Sequence, residues 1–190
     1  SIKAVSTRTS EENQRVTFAI YELKDGATEP TDGTLLYRTS RNFEYAGFHR
    51  LDLDWALEVK AGKRIAVVST ASTLNSDGTR LYSASANQAL SKQSVEFLRG
   101  MNMKVTAYGE AVVNEGESFL YSNGQWVDWS KHIAALPKVA GVPIPKVTLP
   151  GDTYIEQFPI DNFSIKLYAV SADNELDAAK AAQKAAEDRA

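Results

Sequence analysis

The clearest hydrophobic pattern lies in the run GFHRLDLDWALEVKAGKRIAVVS, residues 47–69. Phe48, Arg50, Asp52 and Asp54 fall on one side of an extended chain; His49, Leu51, Leu53 and Trp55 fall on the other. This two-residue period predicts a half-buried β-strand. Ile65, Val67 and Val68 form a denser β-branched run, which suits a strand covered on both faces. Lys60, Ala61, Gly62 and Lys63 between them predict a tight turn.

The same reading extends along the chain. Residues 2–7 alternate weakly and predict a first strand. In residues 15–23, Val16, Phe18 and Ile20 oppose Thr17, Ala19 and Tyr21, which predicts a central strand. Residues 35–39, 79–83 and 103–108 read as short strands. Residues 162–170 read as one continuous last strand, with Phe163, Ile165, Leu167 and Ala169 on one face. Residues 24–33, with two Asp-Gly pairs and a proline, and residues 70–78 predict loops. Residues 116–127 predict a hairpin tipped by Asn123-Gly124, followed by a helical turn with Asp128 as N-cap.

Residues 87–99 are the one internal stretch with helical character. Leu90, Ser94, Phe97 and Leu98 share a face there, and Gly100 is placed to stop the helix. A strand over residues 94–98 fits the pattern as well. Five of the six prolines fall in residues 137–159. Proline fixes φ and lacks a donor, so this segment is no central strand and reads as a surface excursion. From residue 173 the sequence turns to NELDAAKAAQKAAEDRA, rich in strong helix formers. Its apolar stripe is Leu176 and alanines, so it reads as a helical linker or tail over 173–190, leaving a domain over 1–172.

Many short strands without intervening amphipathic helices predict an all-β fold, an antiparallel β-sandwich of jelly-roll type, rather than a parallel α/β fold. With 190 residues the chain is long enough to bury a core without staples. The formal net charge is −3 and no basic stripe is visible, which argues against nucleic acid as a partner. No apolar run approaches the roughly 20 residues of a membrane span. The sequence contains no cysteine, which removes disulfides, thiolate metal sites and thiol nucleophiles. That suits a cytosolic protein or a bacterial surface protein. No secretory signal opens the sequence.

Candidate chemistry is sparse. Asp52 and Asp54 share a strand face, as a paired-carboxylate site would require, but the solvated face of an edge strand accounts for them. His49 lies on the Leu51/Leu53 face and reads as a hydrogen-bonded structural histidine. His132 has no partner in sequence. With two histidines and no cysteine, neither a transition-metal site nor another cofactor is expected. Residues 75–79 (NSDGT) resemble part of a calcium loop but lack the ordered carboxylates and closing glutamate of an EF-hand, so a turn is the better reading. No Ser/His/Asp spacing suggests nucleophilic catalysis, and no catalytic residue is expected.

Tyr121, Asn123, Trp126, Asp128 and Trp129 cluster around the predicted hairpin. Aromatic platforms beside amide and carboxylate groups suit the apolar faces and hydroxyl edges of sugars. Their mix of apolar body and polar tip equally suits a protein interface. Large aromatics are mostly buried, and packing in the core is the commoner use.

Three pieces, in order, carry a resemblance: AVSTRTSEENQRVTFAIYELKDGATEPTDGTLLYRTS (4–40), YAGFHRLDLDWALEVKAGKRIAVVST (45–70) and NEGESFLYSNGQWVDWS (114–130) followed by DNFSIKLYAV (161–170). Within them stand Gly47-Phe48-His49-Arg50-Leu51-Asp52-Leu53, the Lys60-to-Val68 run KAGKRIAVV, and GESFLYSNGQWVD from Gly116 to Asp128. Together they resemble the lectin-like domain that follows papain-like (C1 family) cysteine peptidase domains in bacterial and archaeal surface proteins. Residues 83–109 and 137–159 are longer than that family's pattern. The resemblance implies a non-catalytic, extracellular or cell-surface accessory domain. Its expected partner is a neighbouring domain such as a peptidase or, alternatively, a surface glycan held by the hairpin residues.

Overall fold

The computed structural model describes residues 1–105, 107–139, 154–155 and 159–171, together with positions 174, 176, 179–180 and 183–184. Two compact units are distinguished: Ser1–Ser83 with Ile165–Ala190, and Ala84–Ser164.

The first unit is a sandwich of two antiparallel sheets. One has the order β13 (Lys166–Ala169), β1 (Ile2–Thr9), β4 (Gly47–Leu57). The other has the order β3 (Gly33–Phe43), β2 (Gln14–Leu23), β5 (Ile65–Leu74), β6 (Arg80–Ser83). Their facing sides supply one core: Ile2, Val5 and Leu51 from the first sheet, and Val16, Phe18, Ile20, Tyr37 and Ala71 from the second. The alternation of β2 sends Val16, Phe18 and Ile20 inward, each fully buried, and turns Arg15 and Thr17 outward. A strand with this pattern is stable only between neighbours, and β2 is indeed central. The expected all-β fold is therefore what the chain forms: among the described residues eleven strands lie in four antiparallel sheets.

The turn between β4 and β5 follows the expectation. Gly62 takes a left-handed φ of 81° and Lys63 N–H donates to Lys60 O at 3.3 Å. The alternation of β4 holds through Leu53 and then fails. Ala4 pairs with Asp52 but Ile2 pairs with Leu57, so two steps along β1 face five along β4. The bulge shifts the phase, leaving Trp55 60% exposed while Leu57 turns to the core.

Several expected boundaries are corrected. The strand expected over 35–39 runs from Gly33 to Phe43, because its Arg, Ser and Asn residues ladder along β2 whatever their propensity. The loop expected over 70–78 shrinks to the turn after Leu74, since Ala71 to Leu74 pair with β6. The strand expected over 103–108 does not form at its described positions, which are irregular. The last strand is two strands: β12 (Ile160–Phe163) and β13 belong to different sheets, separated by a bend at Ser164. Ser164 is buried; its N–H donates to Ser85 O at 2.9 Å and its hydroxyl to Asn87 Oδ1.

In the second unit, β12 pairs with β7 (Ala86–Gln88), and β8 (Phe119–Ser122) pairs with β9 (Gln125–Asp128). The helix α1 spans Lys92–Gly100, with Ser91 as N-cap accepting from Ser94 N–H at 3.1 Å. The helical alternative thus prevails over the strand at 94–98. Gly100 is the last helical residue, not the stop; Met101 caps the helix and Asn102 takes the left-handed φ of 60°. A second helix, α2 (Trp129–Ala135), follows Asp128. Two short strands, β10 (Lys138–Val139) and β11 (Tyr154–Ile155), pair in parallel. Most of the proline-rich excursion lies outside the described residues. The described positions of the tail, 174, 176, 179–180 and 183–184, are helical.

Candidate functional site

Asn123 and Gly124 form a two-residue hairpin turn with φ of 51° and 81°. Both angles are left-handed, as a type I′ turn requires, and Asn-Gly is the pair that tolerates them. The turn sets Tyr121 opposite Trp126 and Phe119 opposite Asp128. Tyr121 and Trp126 meet edge to face, with ring centroids 5.1 Å apart. Tyr121 is 59% exposed, Trp126 half-buried and Asn123 exposed.

Asp128 and Trp129 are engaged otherwise. Asp128 caps α2: its Oδ1 accepts from Ser130 N–H at 2.9 Å and from the Ser130 hydroxyl at 2.6 Å. Its Oδ2 accepts from Gly116 N–H at 2.7 Å. Desolvation pushes this carboxyl up, but the Ser130 side chain and the backbone donors outweigh it, so Asp128 titrates below the ordinary carboxylate value. Trp129 is 8% exposed. Its indole N–H donates to Asp161 O at 3.1 Å, and its ring lies against Phe163 (4.5 Å) and stacks on His132 (5.1 Å). Of the five hairpin residues, Tyr121, Asn123 and Trp126 stay at the surface, while Asp128 and Trp129 hold the hairpin, helix and β12 together.

The other candidates make local contacts. His49 Nε2 lies 2.9 Å from Tyr45 O and 3.0 Å from Thr9 Oγ1, and its ring stacks on Phe43 at 4.1 Å. A carbonyl oxygen only accepts, so Nε2 carries the proton. Asp52 pairs with Arg50 on the exposed edge strand β4. Asp54 diverges from it: its carboxylate accepts the hydroxyl of the core residue Tyr37 at 2.9 Å. The 75–79 segment is a turn, with Gly78 N–H donating to Asn75 O at 3.0 Å. Asp77 Oδ1 accepts from both the side chain and the N–H of Thr79, which hold its carboxyl below the ordinary value. Among the described residues no group of three His, Cys, Asp or Glu side chains could hold a metal ion.

A further surface feature lies on the outer face of the four-stranded sheet. Because Val16, Phe18 and Ala71 point into the core, their strand neighbours Arg15, Thr17, Thr70 and Ser72 point out. Pairing aligns Arg15 with Ser72, Thr17 with Thr70, and Ser72 with Tyr82. With Arg38 of β3 and Arg80 of β6 they line an open groove of about 280 Å³. Hydrogen bonds hold its edges: Arg80 Nη1 donates to Ser72 Oγ at 3.0 Å, and the hydroxyls of Thr17 and Ser40 lie 2.8 Å apart. Buried Gln14 donates to the Ser83 hydroxyl at 2.7 Å, tying the end of β6 to the start of β2. Tyr82 stands 64% exposed at the sheet edge.

The hairpin reading of the sequence missed this groove. Its signal was present in the polar half of the alternation in residues 15–23. Two local patterns hide it: residues 70–74 read as loop, and the apolar alternation of β3 ends before Ser40.

No helix among the described residues is long and apolar enough to cross a membrane. No curated protein and no solved structure matches the chain. The family model for the lectin-like domain matches residues 1–136, most of the sequence, and the chain belongs to that lectin-like family.

Proposed function

We propose that this domain is a non-catalytic carbohydrate-recognition module of an extracellular bacterial protein, with its binding surface on the outer face of the four-stranded sheet. The observation that carries this reading is the open groove lined by Thr17, Thr70, Ser72 and Tyr82 together with three arginines. These side chains stand on paired strands, so ligand binding orders little that is not already ordered. Hydroxyls and guanidinium groups supply donors and acceptors for sugar hydroxyls, and Tyr82 supplies an aromatic face. Titration of the chain with a panel of oligosaccharides tests it. Tyr82→Ala lowers affinity by about tenfold, the loss of one aromatic contact; no binding to any oligosaccharide contradicts the reading.

A second reading has its own support. Exposed Tyr121, packed on Trp126 at the tip of a rigid hairpin, suits a site of docking against another domain, such as a papain-like peptidase domain. On this reading, removing the domain from a peptidase-bearing parent lowers that parent's stability or activity. A parent unaffected by the deletion counts against docking.

A further inference from the structure

The groove carries information about the charge of its ligand, and the following rests on the carbohydrate reading. We infer that the groove takes an acidic oligosaccharide, one whose rings bear carboxylate or sulfate groups. Arg15, Arg38 and Arg80 reach one groove from three different strands, and no Asp or Glu lines it. This is a local charge of +3 on a chain whose formal charge is −3. Two other cations of the same unit have carboxylate partners: Arg50 pairs with Asp52 and Lys24 with Asp32. Among the described residues Arg15 and Arg38 have no such carboxylate, and Arg80 binds only the Ser72 hydroxyl. Arginine keeps its charge at every physiological pH, so the groove presents a positive field to an incoming anion.

The guanidinium fork matches the paired oxygens of a carboxylate or sulfate, giving short charge-assisted bonds. Thr17 and Thr70 between the arginines offer hydroxyls to the neutral part of a sugar ring, and exposed Tyr82 offers it an aromatic face. A nucleic acid is also anionic, but single strands are held by several stacking aromatics in succession, and Tyr82 is the one aromatic lining this groove.

Calorimetric titration of the whole chain tests the inference. The probes are an oligouronate, a sulfated oligosaccharide and a neutral oligosaccharide of equal length, with a single-stranded oligonucleotide as competitor, each at low and at physiological salt. An acidic probe is expected to bind most tightly and to weaken with salt; the tighter of the two acidic arms distinguishes carboxylate from sulfate. Arg15→Gln and Arg38→Gln each weaken it about ten- to a hundredfold, the loss of a bond to a charged group. Arg15→Lys keeps the salt dependence and recovers only part of the affinity. Lys63→Gln, the same change in charge at an exposed turn, leaves binding unchanged. These positions are exposed, and unchanged thermal unfolding of each variant shows that the sheet is intact. If the neutral probe binds as tightly as the acidic ones and the arginine variants match the parent, the inference falls while the carbohydrate reading stands. If no oligosaccharide of any charge binds, both fall, and preference for the oligonucleotide overturns the inference in favour of a different ligand class.

Discussion

Two side chains show how far local chemistry departs from local sequence. Trp129 and Trp126 stand three residues apart beside the same hairpin, yet Trp129 is buried and hydrogen-bonded while Trp126 stays half-exposed. Truncating a buried Trp removes its contacts and leaves a cavity. Trp129→Ala is therefore expected to cost about 3–5 kcal/mol in urea unfolding; an unshifted midpoint contradicts its place in the second unit. The opposite sign is expected at Thr73. Among the described residues its buried hydroxyl has no hydrogen-bond partner, so the folded state carries a desolvation cost. Thr73→Val keeps the shape and the β-branched stem and removes that cost, raising stability by about 1 kcal/mol in the same measurement. A destabilised variant would show that the hydroxyl is satisfied.

At the scale of elements, a carboxylate caps the junction of β9 and α2. Asp128 is held below the ordinary carboxylate value in the folded chain, so its contribution to stability is present above the unfolded pKa. It is lost as pH falls through the lower, folded value. The start of α2 is thus expected to loosen only in acid, below about pH 4, with the Ser130 amide resonance following the titration. Asp128→Asn abolishes that pH dependence, and an unchanged Ser130 titration in the variant would assign it to another group. This junction was legible in sequence because its signals are local: Asn-Gly demands a type I′ turn, and an Asp before a helix caps it. The inward face of β2 was legible for the same reason. The bulge in β4, the full length of β3 and the break at Ser164 were not, because each is set by pairing with strands distant in sequence. The groove inherits that difficulty. Arg15, Arg38 and Arg80 are unremarkable exposed residues until the strand order β3-β2-β5-β6 sets them on one face.

For the whole molecule, the lectin-like family and the two-sheet sandwich frame the function without specifying it, since fold alone does not establish a ligand. On the proposed reading, what specifies it is the distribution of charge and hydroxyl groups over the outer face of one sheet, opposite the core. The most direct measurement is an amide chemical-shift map of the whole chain during titration with the acidic oligosaccharide. The account predicts that the perturbed amides are those of residues 15–17, 38–40, 70–72 and 80–82. Shifts confined to residues 119–128 at the hairpin, or no shifts at all, would contradict it.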